Sequence, residues 1–311
     1  MRNGMLSGLI AASFTPFAAD GQLNLAQVPV LAADLKRNRV SGAFICGTTG
    51  EGNSLTTQER QDVASAWAAC KPAELSLIVH VGHNSLAESI LLAKHAVGVG
   101  ADAVAMLPPC APRPTTLLDL VESCALVAAA VPNLAFYYYH MPEATGVDFD
   151  MADFLAMAAP RIPNLSGVKF THEKLMDFGQ ALAFDPSRYT ILHGRDQILL
   201  AALAIGAKGA VGSTYNYAAP IYLRLMTAFA AGDIATARRE QAFAVRFIEV
   251  MLRHGGLPAG KAIMRLIGLD CGGVRLPMRS LDAAAEKSLK TGLEEVGFFE
   301  AIRLPSASGD G

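Results

Sequence analysis

The sequence predicts an α/β fold, a (β/α)8 TIM barrel with a C-terminal helical appendage, and three observations carry that prediction. Eight short apolar segments recur along the 311 residues, each followed by a stretch with helical spacing. Most of these segments are near-continuously apolar rather than alternating, as strands are when both faces are covered. The strand-then-helix order is kept throughout, which suits eight parallel strands closed into a barrel. An open doubly wound sheet shares the alternation and is the structural alternative. Its dinucleotide-binding version would carry a Gly-x-Gly-x-x-Gly turn after the first segment, and none is present there.

The segments are Gly8–Phe14, Gly42–Gly47, Leu75–Gly82, Ala103–Leu107, Leu134–His140, Ser166–Thr171, Thr190–Gly194 and Gly209–Ser213. The intervening stretches, such as Thr57–Ala69, Leu86–Val99 and Leu117–Ala130, are rich in Ala and Leu with charges along one face. After the eighth unit, Ile234–His254 and Lys261–Ile267 have helical spacing, separated by Gly255-Gly256-Leu257-Pro258, and Asp282–Val296 is a further candidate helix. Ser306–Gly311 reads as a frayed tail. The expected organisation is a barrel over residues 1–230, with the helices of residues 231–311 packed on it as part of one structural unit.

Composition narrows the function classes. Hydrophobic residues make up 52% and charged residues 17%, enough to build one large core without staples. The formal net charge is −2 with both signs interspersed, so the basic stripe needed for nucleic acid is missing. The five cysteines (Cys46, Cys70, Cys110, Cys124 and Cys271) are odd in number and lack metal-ligand spacing, which points to a reducing compartment. No apolar run reaches the length of a membrane span, and Leu6–Ala12 is too short for a secretory signal. The expectation is a soluble, cytoplasmic protein with no nucleic-acid or membrane partner.

In barrels the chemistry lies where strands end and βα loops begin. Lys169 sits near the end of the sixth segment among apolar neighbours. Desolvation there lowers a lysine pKa and yields the neutral amine that attacks a ketone. An inward lysine paired with a carboxylate, or one facing the helices, remains the plainer reading. Tyr139 ends the run Phe136–His140, in which Tyr137 and Tyr139 share one strand face and Tyr138 takes the other. A phenol beside a Schiff base can move protons, although aromatic packing is the commoner fate of a strand tyrosine. The loop Gly47–Gly52 could hold a carboxylate with its backbone N–H groups and the hydroxyls of Thr48 and Thr49, or could simply connect strand to helix. It lacks the Gly-Lys-Ser/Thr ending of a phosphate-binding loop. Gly212–Asn216, after the eighth segment, offers similar polar chemistry.

Five of the seven histidines (His80, His83, His140, His172 and His193) fall at or near strand ends, so a metal site is conceivable. No helical His-x-x-x-His is present, and ordinary hydrogen-bonded histidines are the expectation, with no metal.

Taken in order, Gly47–Gly52, His80–Gly82, Phe136–Pro142, Gly167–Phe170, Asp177–Gln180, Gly209–Tyr217 and Lys261–Met264 resemble the dihydrodipicolinate synthase and N-acetylneuraminate lyase superfamily, whose members are class I pyruvate aldolases. The resemblance covers nearly the whole chain and is closest to the lyase branch. It implies that Lys169 forms the Schiff base, that Tyr139 is the catalytic tyrosine, and that Thr48 and Thr49 bind the pyruvate carboxylate. Thr171, Gly194, Asp196, Gln197 and Ser213 fall where the lyases contact the rest of the substrate. The implied reaction cleaves N-acetylneuraminate to N-acetylmannosamine and pyruvate, with no cofactor beyond the covalent imine and with a homotetramer as the usual assembly. A related aldolase acting on another 2-keto-3-deoxy sugar acid is the alternative, because position 197 is Gln where the lyases usually have Glu. Pro142–Gly146 also lacks the arginine that the synthases use there for a dicarboxylate, and Cys110 stands where some members contribute a phenol.

Overall fold

The computed structural model describes residues 6–303; the tail Ser306–Gly311 lies outside the described residues. Eight strands alternate with helices. The chain runs β1 (Gly8–Ala12), α1 (Val28–Arg37), β2 (Gly42–Ile45), α2 (Thr57–Cys70), β3 (Ser76–His80), α3 (Leu86–Gly98), β4 (Ala103–Met106) and α4 (Leu117–Ala129). It continues through β5 (Ala135–His140), α5 (Pro142–Thr145), α6 (Met151–Ala158), β6 (Leu165–Phe170), α7 (Leu175–Phe184), β7 (Thr190–His193), α8 (Leu199–Ile205), β8 (Gly209–Gly212) and α9 (Ala219–Ala230). The strands are parallel and close in sequence order, with β1 paired to both β2 and β8. Closure decides between the two architectures that the alternation allowed: the sheet is a barrel.

Why the strands read as unbroken apolar runs is now plain. Ile10, Phe44, Ile78, Ala105, Tyr137, Leu192 and Val211 fill the barrel interior. Their neighbours Leu9, Ala43, Leu77, Val104, Tyr138 and Ile191 belong to the layer beneath the helices. Both faces are dry, so each strand must be apolar at odd and even positions alike. The helices start on recognisable signals. Thr56 and Glu59 form a capping box on α2, and Thr116 and Asp119 form another on α4, each worth about 1 kcal/mol.

One pairing bears directly on the site. Between β5 and β6 the register shifts at Phe136/Tyr137, after which Tyr137 pairs Gly167 and Tyr139 pairs Lys169. A Cβ on Gly167 would lie 1.8 Å from the Thr190 carbonyl oxygen of β7, so only glycine lets β6 and β7 approach there.

Beyond the barrel, α10 (Ile234–Arg253), α11 (Leu257–Leu266), α12 (Ala283–Glu295) and α13 (Phe298–Ala301) complete the chain. Phe247 of α10 packs on Tyr222 of α9 and on Phe298 of α13, with ring centroids 6.5 and 5.2 Å apart. The helix expected from Lys261 in fact starts at Leu257. Pro258 occupies its first turn, where a missing N–H costs nothing, so this proline begins a helix rather than interrupting one. No helix among the described residues is long and apolar enough to cross a membrane.

Candidate active site

Lys169 points into the barrel and is 3% exposed. Its ammonium lies 3.8 Å from the centroid of the Phe44 ring and 3.9 Å from that of Tyr139. None of the ion pairs among the described residues includes it. Burial pushes its pKa below the ordinary value, opposed by Tyr139 and, more weakly, by the Asp196 carboxylate. Neither plainer reading describes it: the lysine faces inward and has no carboxylate salt bridge.

The alternation expected for the tyrosine run is present. Tyr137 and Tyr139 belong to the interior, whereas Tyr138 packs at a tilt on Phe154 of α6 with ring centroids 4.6 Å apart. The Tyr139 hydroxyl donates to the Met141 sulfur at 3.2 Å, and the Thr48 hydroxyl lies 3.6 Å from the same sulfur. Met141 therefore sits between two hydroxyls at the mouth of the barrel. Beneath them His80 meets the Tyr139 ring edge-on, with centroids 6.0 Å apart. The Leu107 N–H donates to its Nε2, which leaves Nδ1 to donate to the Cys46 carbonyl at 3.0 Å. Burial and the nearby Arg60 guanidinium hold this imidazole neutral, and it packs behind the Tyr139 ring rather than lining the pocket.

The opposite wall comes from β6, β7 and β8. Gly194 has no room for a side chain, because a Cβ would meet the Thr171 hydroxyl at 2.0 Å. Asp196 is buried, and its Oδ2 accepts from the Thr214 N–H at 3.1 Å and the Thr214 hydroxyl at 2.6 Å. Burial raises its pKa and the Thr214 hydrogen bonds oppose the rise. Gly212 must be glycine for this carboxylate to fit, since a Cβ would lie 1.8 Å from Asp196 Oδ1. Thr48, Thr49, Tyr139, Lys169, Thr171, Gly194, Asp196, Gln197 and Ser213 all line one pocket.

The profile of the dihydrodipicolinate synthetase family matches residues 5–296. The chain belongs to this family. Among curated members, it is 41% identical to N-acetylneuraminate lyase of Xenopus tropicalis over 279 residues, covering 88% of this chain and 91% of that protein. It is 39% identical to the Homo sapiens N-acetylneuraminate lyase over 306 residues, covering 96% and 95% respectively. Among solved structures it resembles Proteus mirabilis N-acetylneuraminate lyase with a TM-score of 0.92 and 41% identity, covering 95% of this chain and all of that one (100%). The Aliivibrio salmonicida N-acetylneuraminate lyase, called a sialic acid aldolase, matches with a TM-score of 0.92 and 37% identity over 95% of this chain and 98% of its own. The resemblance read from the motifs is borne out.

Sequence reasoning missed several residues that line the pocket of this family member. Met141 and Arg195 come from the loops after β5 and β7, and Ile248, Met251 and Leu252 from α10. Arg195 forms an ion pair with Glu143 of α5, and its hydrogen bond holds the Glu143 carboxyl below the usual range. The only signal for Arg195 was its place between two candidates. Helical periodicity marks an apolar face on α10 but not the pocket that this face closes.

The strand-end histidines do not gather at one point, although His140 and His172 meet edge-on with ring centroids 5.8 Å apart. His80 faces into the barrel, while His140 and His193 are buried among Phe170 and Phe178 on the outer side of the strands. Burial lowers the His140 pKa to about 3 and that of His193 to about 4. Among the described residues no group of three His, Cys, Asp or Glu side chains is placed to hold a metal ion.

Proposed function

We propose that this chain is a Schiff-base aldolase that cleaves N-acetylneuraminate to N-acetylmannosamine and pyruvate. The observation that carries the reading is Lys169: a buried amine without an ion-pair partner, set between two aromatic rings beside a tyrosine, opening on a pocket lined with hydroxyls. Relatives at about 40% identity that bear the lyase name support the substrate.

The chemistry follows from the residues. Lys169 adds to the C2 ketone of the open-chain sugar acid and water leaves, giving a protonated imine. Thr48 and Thr49 hold the C1 carboxylate, which fixes C2 next to the amine. Tyr139 Oη supplies the proton with which the C2 oxygen leaves as water, and the phenolate so formed takes the proton from the C4 hydroxyl. The C3–C4 bond then breaks, its electrons pass to the imine nitrogen, and the aldehyde N-acetylmannosamine departs. The phenol returns its proton to C3 of the enamine, and water hydrolyses the resulting imine to free pyruvate and the amine. The covalent imine is the electron sink, so the reading requires no separate cofactor. Thr171, Gly194, Asp196, Gln197 and Ser213 contact the distal part of the substrate.

A second reading rests on a particular pair of residues. Gln197 is neutral and the charge of Arg195 beside it is met by Glu143, so the distal wall offers hydrogen-bond donors as well as acceptors and no net charge to select the tail. An aldolase for a different 2-keto-3-deoxy sugar acid fits that wall. Pyruvate release measured with N-acetylneuraminate and with shorter 2-keto-3-deoxy sugar acids decides between them. Saturation by N-acetylneuraminate supports the first reading; saturation only by a shorter acid supports the second. The barrel and residues 231–311 form one working unit on this reading, since α10 closes the pocket. The homotetramer rests on the family resemblance, and the cytoplasmic location on cysteine usage.

A further inference from the structure

We propose that the buried Glu51–Lys261 ion pair is a positioning device, through which the C-terminal extension fixes the Thr48–Thr49 loop and sets the affinity for the keto-acid end of the substrate. The proposal rests on the reading of Thr48 and Thr49 as the carboxylate site.

The loop after β2 has an unfavourable backbone. Cys46 and Glu51, neither of them glycine, adopt left-handed conformations with φ of 56° and 54°. Gly52 packs so closely that a Cβ would lie 1.9 Å from the Cys46 carbonyl oxygen. Such conformations persist only where the surroundings hold them, and they gather at functional sites. Here the surroundings are contributed by segments remote in sequence. Glu51 and Lys261 side chains are 0% and 2% exposed, with Oε1 and Nζ 2.8 Å apart. Glu51 Oε2 accepts from the Arg275 N–H at 2.9 Å. The Lys261 ammonium also donates to the Thr15 carbonyl at 2.8 Å and the Gly273 carbonyl at 2.5 Å, and lies 4.1 Å from the Phe17 ring centroid.

One ammonium thus joins the loop after β1, the loop after β2 and the segment after α11. The Thr15 hydroxyl closes the arrangement by donating to the Gly50 carbonyl at 2.6 Å, next to Thr49. Arg275 grips the far end of the same loop, with Nη1 donating to the Ser54 carbonyl at 2.9 Å and the guanidinium pairing with the Glu59 carboxylate. Burying an ion pair is a poor route to stability, because an apolar pair of similar volume often does as well. What an apolar pair cannot supply is direction. Two carbonyls that accept from one ammonium, with the Glu51 carboxylate paired against it, hold the loop in one place, and the hydroxyls of Thr48 and Thr49 with it.

The test is Glu51→Gln, which keeps the shape of the side chain and removes its charge, alongside the double variant Glu51→Gln/Lys261→Met, which removes both charges. Competent sites are counted by borohydride trapping at saturating pyruvate, and rates are expressed per trapped site. The expected result is a rise of about tenfold in KM for N-acetylneuraminate and for pyruvate in the condensation direction, with kcat per site and the KM for N-acetylmannosamine little changed. If the single variant does not fold, the double variant, in which no ion is left buried alone, carries the same expectation. A fall in trapped sites or in melting temperature with both keto-acid KM values within twofold of wild type would overturn the proposal, because a merely structural pair lowers the number of sites and not their affinity. Wild type that traps no pyruvate would instead remove the underlying aldolase reading, and this inference with it.

Discussion

Lys169 and Tyr139 are register partners across β6 and β5, and the lysine ammonium lies 3.9 Å from the centre of the tyrosine ring. The bulge at Phe136/Tyr137 and the bare Gly167 create this pairing. A slip of one residue would send Lys169 to the helix side of the wall. Amine and phenol therefore share one small interior space because of a backbone irregularity two residues earlier.

Tyr139→Phe keeps the ring against Lys169 and removes the hydroxyl. Imine formation with pyruvate should survive, while kcat for cleavage falls by a factor of about 10²–10⁴, the usual contribution of a positioned acid–base group. Steady-state rates together with trapping separate the two effects. Cleavage within threefold of wild type would remove Tyr139 from proton transfer.

The buried amine also predicts a pH signature. The folded pKa of Lys169 is lowered from the ordinary 10.5. Between the lowered value and 10.5 the unfolded chain holds a proton that the folded chain has released, so unfolding takes up a proton and stability rises with pH across that window. Lys169→Met should abolish catalysis, lose this rise and be more stable than wild type at neutral pH by about 1–2 kcal/mol. Urea unfolding of both proteins across the window checks the sign. A variant less stable than wild type at neutral pH would mean that the amine is not poorly solvated.

On the proposed reading, Arg195 belongs to the distal wall and not to the keto-acid end. Arg195→Met should raise KM for the sugar acid by about tenfold and leave the KM for pyruvate unchanged. Condensation and cleavage kinetics on the same preparation provide both numbers. Equal effects on the two constants would place the arginine elsewhere in the reaction.

Gly167→Ala tests the register device. The added Cβ meets the Thr190 carbonyl at 1.8 Å, and relieving such an overlap should cost about 1–3 kcal/mol or more of stability. Urea denaturation measures it. A neutral result would show that β6 and β7 can separate without penalty.

Much of this was legible before any coordinates, for physical reasons. Strands covered on both faces must be apolar at every position, so all eight could be read as runs. The expected helix Thr57–Ala69 runs Thr57–Cys70 because Thr56 and Glu59 mark its start. The nine candidate residues meet in one pocket because a parallel barrel delivers all its strand ends to one face. Contacts between remote segments were not legible. Nothing local tells that Glu51 and Lys261 meet, that Met251 of α10 reaches the site, or that Arg195 leans toward Glu143. Pro258 misled for a different reason: a proline reads as a breaker unless its position within the first turn is known.

The central claim is that Lys169 carries the substrate as an imine, and reduction with borohydride in the presence of pyruvate tests it most directly. Mass spectrometry of the intact chain and of its peptides should find one reduced pyruvyl group on the peptide containing Lys169 and none on Lys169→Ala. No adduct on wild type, or an adduct that persists in Lys169→Ala, would contradict the account.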